Sequence, residues 1–395
     1  MPLMGFCLSN SSQRLFRTVR TLFLSPILLL LLSSCASNPE QAISAVLSGD
    51  PERIAREIIE VELEGAGLPS DFENLPELVR VATTILRDIW GEREPEIASE
   101  HRYVKYSNAY EARAIIDFDE GWLQVETVAE EQPLGKLRDA MVSTLLTSRD
   151  MRVEDIFTDA EPDTDGEPFL LGQVLDHDGE AIRWRWRAER YADYLIANEL
   201  RRLQQNGRSL HLLRVSLVDN HLQLRELEYA DQVIAASRQY GISPTLIYAV
   251  IEVESAFNPY AVSPANAFGL MQVVPATAGR DVFERIKKQP GEPTRQQLFE
   301  PPFNIDIGSA YLHLLDDVYL SRIRDHESRH FATIAAYNGG AGGALRTFDS
   351  DKNRAVERIN RLTADQVYDQ LVTRHPFAET RNYLKKVRAA EQRYR

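Results

Sequence analysis

A chain of 395 residues is longer than one hydrophobic core usually organises, so two domains are expected. A hydrophobic share of 44% and a charged share of 26% are ordinary for a globular protein and not for a disordered or fibrous one. The net charge of −14 repels polyanions and argues against nucleic acid as a partner.

Residues 1–34 read as a targeting segment, outside the fold. Arg14, Arg17 and Arg20 precede an apolar run, Leu22 to Leu32, that is too short to cross a bilayer as a helix. The run ends in Leu32-Ser33-Ser34-Cys35, which resembles a lipobox cut before Cys35 so that its thiol carries lipid. Cys7 leaves with the leader, so no intramolecular disulfide is expected. Ala36 after the cysteine suggests, by resemblance to enteric lipoproteins, the periplasmic face of the outer membrane, where several acyl chains would anchor the protein. Residues 35–42 form a polar tether.

Residues 43–222 read as a mixed α+β domain. Asp50-Pro51 marks a helix start, and Leu78, Val81, Ile85 and Ile89 mark a second helix ending near Gly91. Arg102 to Tyr106 and Arg113 to Phe118 are β-prone. The turn at Asp119 to Gly121 and the alternation from Trp122 to Val128 complete a hairpin. A helix follows Pro133 to Leu146, then an acidic surface loop, 161–168, and a second hairpin at Asp178-Gly179. A helix is predicted from Arg187 to Gln205 and a strand from Leu210 to Val218. The run Arg183-Trp-Arg-Trp-Arg187 reads as strand alternation with tryptophans on the core and arginines in water, or as a basic and aromatic surface that guides glycan.

Residues 223–395 read as all helix. Tyr229 to Tyr240 is amphipathic and stops at Gly241. Ser243 and Pro244 open the next helix, whose apolar stripe is Leu246, Ile247, Val250 and Ile251. Glu254 lies three residues beyond Ile251 and so beside that stripe, while Glu252 points elsewhere. A carboxyl on an apolar face loses hydration and favours its neutral form, which suits a general acid. From Ser255 to Arg280 there is no Asp or Glu; Ser263, Asn266 and Gln272 offer neutral polar groups and Gly269 allows close backbone approach, a composition that suits a sugar. The alternative for Glu254 is a helix-end carboxylate paired with an arginine. Further helices are expected at Asp281 to Lys288, Asn304 to Leu314, Phe331 to Tyr337, Ala364 to Val372 and Ala378 to Tyr394. Gln289 to Pro302 is expected to be loop, and Asn338 to Gly343 a tight glycine loop.

Glu254-Ser255, Gly269-Leu-Met-Gln272, Ala336-Tyr-Asn-Gly-Gly340 and the segment His375 to Tyr383 resemble, in order and spacing, the catalytic domain of soluble-lytic-transglycosylase-type enzymes. The resemblance implies an all-α lysozyme-like fold over 223–395. It also implies cleavage of the bond between N-acetylmuramic acid and N-acetylglucosamine in peptidoglycan glycan strands. Glu254 would protonate the glycosidic oxygen. The substrate's own acetamido group would stabilise the cationic centre, and Glu254 would then take the proton of the muramic C6 hydroxyl, leaving a 1,6-anhydromuramyl end. A tethered hydroxyl has a high effective concentration, so one carboxyl suffices. Ser263, Gln272, Tyr337, Asn338 and Tyr383 match sugar-binding or cleft positions. No cofactor or metal is called for, and a monomer is expected. A muramidase that uses water on the same bond, and a wall-binding lipoprotein without turnover, are the alternatives.

One motif competes. His326-Glu-Ser-Arg-His330 has the H-E-x-x-H spacing of zinc peptidases. It sits among charges at an expected helix entry, and its third ligand would have to be Glu357 or His375 folding back. A solvated helix start is the preferred reading.

Overall fold

The computed structural model describes residues 86–91, 96–149, 159–205 and 208–395. The leader, Cys35, the tether and the helix start at Asp50-Pro51 lie outside the described residues. So does most of the helix expected to end near Gly91, whose last turn, 86–90, is helical. The expected order, α+β then all helix, is the one the structure has.

The first half is built on five antiparallel strands: β1 (Arg102–Ser107), β2 (Ala112–Asp117), β3 (Trp122–Thr127), β4 (Arg201–Gln205) and β5 (Arg208–Ser216), paired in the order β1-β2-β3-β5-β4. Ala114 stands opposite Val125, and Ile116 opposite Leu123, on the face that packs against Leu137, Met141 and Leu145 of α1 (Pro133–Leu146). The alternate residues Val104, Tyr106 and Ile115 face Leu86 and Trp90. Both faces of β2 are therefore covered, and every residue of it is buried. Arg113 is carried inside with it, opposite Glu126, and meets that carboxylate with Nε at 3.0 Å and Nη2 at 2.8 Å.

Three expectations need correction here. The helix predicted over Arg187–Gln205 is α2 (Arg185–Asn198) followed by β4. Arg201, Arg202 and Gln204 of β4 are good helix formers, but at a sheet edge they pair with β5 on one side and stay in water on the other, so tertiary pairing overrides propensity. Trp184 and Trp186 are 60% and 54% exposed and do not face the core; a helix begins at Arg185, so the strand alternation that would have buried them is absent. Asp178-Gly179 makes a turn, with Gly179 at φ 80°, but only a single bridge, Leu175 to Ala181, closes it.

The second half is helical: α3 (His221–Glu228), α4 (Ala230–Tyr240), α5 (Pro244–Ser255), α6 (Arg295–Phe299), α7 (Pro301–His313), α8 (His326–Arg346), α9 (Lys352–Ile359), α10 (Ala364–Arg374) and α11 (Ala378–Glu391). α6 lies inside the segment read as loop; its Thr294 and Gln297 form a capping box, a signal outweighed in the sequence by neighbouring Pro and Gly. α9 was also not anticipated. Wide helical turns over Pro275–Gly279 and Phe283–Lys287 replace the simple helix expected at Asp281 to Lys288. The glycine run is not a loop: α8 kinks at Gly340 (φ 72°, ψ 149°) and resumes. A Cβ at Gly339 would lie 2.7 Å from Thr380 Oγ1 and 2.8 Å from His375 Cε1, so the kinked helix packs on the entry to α11 only without one.

One continuous core spans both halves. At their junction Tyr103, Phe169 and Tyr260 form an aromatic cluster with ring centroids 5.1 to 5.7 Å apart, and Tyr260 donates to the Ser148 carbonyl at 3.0 Å. Among the described residues no helix is long and apolar enough to cross a membrane.

Candidate active site

The site is assembled around the end of α5, which stops where Ala256 turns left-handed at φ 48°. Beside it runs the turn from Phe268 to Gln272, and three elements stitch that turn in place. Ser255 Oγ donates to the Leu270 carbonyl at 2.8 Å and Tyr337 Oη, on α8, to the Met271 carbonyl at 2.7 Å. Asn304, fully buried on α7, accepts from Met271 N at 2.8 Å and donates to the Phe268 and Leu298 carbonyls at 2.8 and 2.7 Å. Gly269, at φ 72°, lies so close that a Cβ would sit 2.3 Å from the Leu298 carbonyl oxygen and 2.4 Å from Asn304 Nδ2. The spacing of Glu-Ser, Gly-Leu-Met-Gln and Ala-Tyr-Asn thus has a structural reason: Ser255 and Tyr337 bond to the carbonyls of the turn between them.

Glu254 then opens on a groove of about 440 Å³, lined by Ser99, Glu100, His101, Val253, Asn338, Glu379, Asn382, Tyr383 and Lys386. Its carboxyl is partly exposed toward the groove and otherwise enclosed by protein. Desolvation pushes its pKa up to about 8; Tyr383 pulls the other way by favouring the ionised form, while Glu100 and Glu379 oppose ionisation. The position on the last turn of α5, at the negative end of the helix, acts in the same direction as burial. The Tyr383 phenol is itself pushed well above its usual range by burial and by Glu254.

Glu252, two residues away, has the arginine pairing that was the alternative for Glu254. It pairs with Arg393 and accepts from Tyr394 Oη at 2.5 Å. Among the described residues no such cation pair is made by Glu254.

The structure brings Glu254, Asn338 and Tyr383 together in the groove, with Tyr337 buried close enough for the Glu254 charge to oppose its ionisation. Asn338 Nδ2 donates to Glu379 at 3.1 Å and its Oδ1 accepts from Thr380 at 2.6 Å. Ser263 and Gln272 are not on that lining. Ser263 Oγ accepts from Ala265 N and Ala267 N at 3.2 Å. Gln272 Nε2 donates to the Ala261 and Gly269 carbonyls at 3.1 and 2.9 Å, leaving a buried Oε1 without a partner. Asp281 and Asp306 are not on the groove lining: the first accepts from Tyr319, the second from Tyr240.

Sequence reasoning missed the wall formed by Ser99, Glu100 and His101 and the α11 residues Glu379, Asn382 and Lys386. The α11 positions follow a helical period around Tyr383 and were open to detection; the first-half wall carried no local signal.

The H-E-x-x-H residues lie elsewhere. Asp325 caps α8 by accepting from Ser328 N at 2.7 Å, and His330 Nε2 bonds to Glu391 at 3.0 Å. Among the described residues no three His, Cys, Asp or Glu side chains gather as a metal site.

Residues 69–228 match the family described as membrane-bound lytic murein transglycosylase C, N-terminal domain, and residues 231–360 match the transglycosylase SLT domain. A curated relative from Klebsiella pneumoniae subsp. pneumoniae, a membrane-bound lytic murein transglycosylase C, is 48% identical over 78% of this chain and 86% of its own. The relative of that name from Sodalis glossinidius is also 48% identical, over 78% of this chain and 87% of its own. Among solved structures, the 70 kDa soluble lytic transglycosylase of Escherichia coli is 31% identical over 42% of this chain and 24% of that one, with a TM-score of 0.34. The chain belongs to the membrane-bound lytic murein transglycosylase C family.

Proposed function

We propose that the protein is a peptidoglycan lytic transglycosylase in which Glu254 serves first as acid and then as base. The observation that carries this reading is an enclosed carboxyl, held up to about 8, at the edge of an open groove. At neutral pH it holds the proton that a leaving glycosidic oxygen needs. Once ionised, it faces the Tyr383 phenol, which favours the charged form and so stabilises the state reached after proton donation. The muramic C6 hydroxyl then returns a proton to Glu254 as its oxygen closes on C1, giving a 1,6-anhydromuramyl end without water. Asn338 and Tyr383 are the side chains placed to meet the sugar. Ser263, Gln272 and Tyr337 act at one remove, by holding the turn and its approach in shape.

A hydrolytic outcome has one observation in its favour: Glu100 and Glu379 also line the groove, and hydrolases of this bond type use a second carboxylate. Mass analysis of digested sacculi separates the two. Anhydro ends support the transglycosylase; products heavier by one water at every cut overturn it in favour of the muramidase.

Lipidation of Cys35, anchorage to the outer membrane and a division of the chain near residue 222 complete the proposal. The relatives' designation as membrane-bound supports attachment to a membrane. Metabolic labelling with a fatty-acid probe tests the anchor, since Cys35→Ser then carries no label.

A further inference from the structure

A side chain of the first half hydrogen-bonds directly to the end of the catalytic helix. His101, just before β1, lies between two oxygens: its Nδ1 is 2.5 Å from Asp119 Oδ2, in the β2–β3 turn, and its Nε2 is 3.1 Å from the carbonyl oxygen of Val253. That carbonyl is on the last turn of α5, next to Glu254 in sequence, where helix carbonyls lack intrahelical donors. An ionised carboxylate and a backbone carbonyl are both acceptors only, so both ring nitrogens must carry hydrogen for both contacts to be hydrogen bonds. The ring backbone is also fixed, because the His101 carbonyl accepts from Phe118 N at 3.0 Å.

We propose that His101, as an imidazolium, is a positioning residue for Glu254: it clamps the end of the catalytic helix to the sheet half and sets the charge beside the acid. The cation suits the site twice, at the negative end of α5 and against Asp119. The charged groups around the pair come from every neighbouring element: Glu100 beside the ring, Asp119 itself, Glu254 on α5, Lys386 and Glu379 on α11, and Arg225 on α3. Asp119 and the Val253 carbonyl hold the imidazolium above its usual range against the pull of burial, so the doubly protonated ring persists toward neutral pH. Asp119 is correspondingly held below the usual carboxylate range. The His101 charge in turn eases ionisation of Glu254. His101 therefore acts on the reaction through Glu254, both on its place and on the pH at which it titrates.

The inference rests on Glu254 being the acid, and the experiment keeps the two apart. Full-length wild type, Glu254→Gln, His101→Ala and His101→Gln are assayed on solubilised glycan strands for kcat, KM and rate against pH. His101→Ala should lower kcat by roughly ten- to a hundredfold with little change in KM, because the acid is misplaced and not the ligand. His101→Gln keeps a neutral donor for the Val253 carbonyl and should recover part of that rate. In both variants Asp119 is left without its cation, so Glu254 ionises less readily and the alkaline limb should move up by about half a unit or more. A wild-type rate and an unmoved limb in both, beside an inactive Glu254→Gln, would overturn the clamp alone. So would a loss confined to KM. Activity surviving in Glu254→Gln would instead remove the acid reading beneath it.

Discussion

The two halves of the molecule bury carboxylates in opposite ways. In the sheet half Glu126 is enclosed on β3, but Arg113 meets it through two nitrogens, Tyr106 adds its hydroxyl to the guanidinium, and Trp90 stacks 4.0 Å above. In the helical half Glu254 is enclosed with no arginine or lysine paired to it and one side open to a groove. A paired buried charge stays charged and holds strands in register; an unpaired one keeps its proton, and a proton held at neutral pH can be given to a substrate. The contrast recurs over two residues of α5, between Glu252, tied to Arg393, and Glu254.

Substitutions at the two carboxylate sites break the comparison most directly. Glu254→Gln should lower sacculus solubilisation by about a thousandfold or more while binding to sacculi persists, since the amide keeps the shape and cannot carry the proton. Retained lysis would equate Glu254 with its structural counterpart. The same variant should gain stability relative to wild type as pH rises. In wild type the folded acid titrates at about 8 against 4.5 for the ordinary group, so between those values the native state binds more protons and stability falls with pH. Glutamine removes that slope, and urea unfolding at pH 4 and pH 8 should show the variant level with wild type at the first and more stable at the second by a few kcal/mol.

Arg113→Met tests the other side. It leaves Glu126 buried without its cation and should destabilise by about 3–5 kcal/mol, while Arg113→Met with Glu126→Leu should regain most of the loss. Equal stability of the single and double variants would mean that the fork contributes nothing specific. Next in size, Gly269→Ala drives a Cβ into the Leu298 carbonyl and Asn304 at a left-handed backbone position. A loss of roughly 2–3 kcal/mol in chemical denaturation is expected, with activity falling as the turn beside Glu254 shifts. The smallest effect is expected from Tyr383→Phe. Loss of the phenol leaves the ionised acid less stabilised, so the rate should fall roughly tenfold and the alkaline limb should move upward. An unchanged profile would detach Tyr383 from the acid.

Much of the helical half was legible because its signals are local. Pro244 and the stripe from Leu246 to Ile251 set α5, and Glu254 falls beside that stripe on its last turn. The roles of Ser255 and Asn304 were not legible: both bond to a turn from elsewhere in the chain, and an asparagine in α7 looks like any polar residue until Met271, Phe268 and Leu298 surround it. Ser263 and Gln272, read as sugar ligands, place hydrogen bonds on nearby backbone groups, which a spacing pattern does not distinguish from exposure. In the sheet half β4 was read as helix because pairing with β5, not propensity, decides its state. The groove wall was hidden for the same reason at longer range: His101 meets Val253 across 152 residues of sequence.

The most direct test of the unpaired carboxyl is a titration of Glu254 itself, followed by the carboxyl carbon resonance of labelled glutamate, with Glu254→Gln used for assignment. The structure predicts a midpoint at about 8, so that the group is protonated at pH 7. A midpoint near the ordinary glutamate value would leave the groove without its acid and contradict the account.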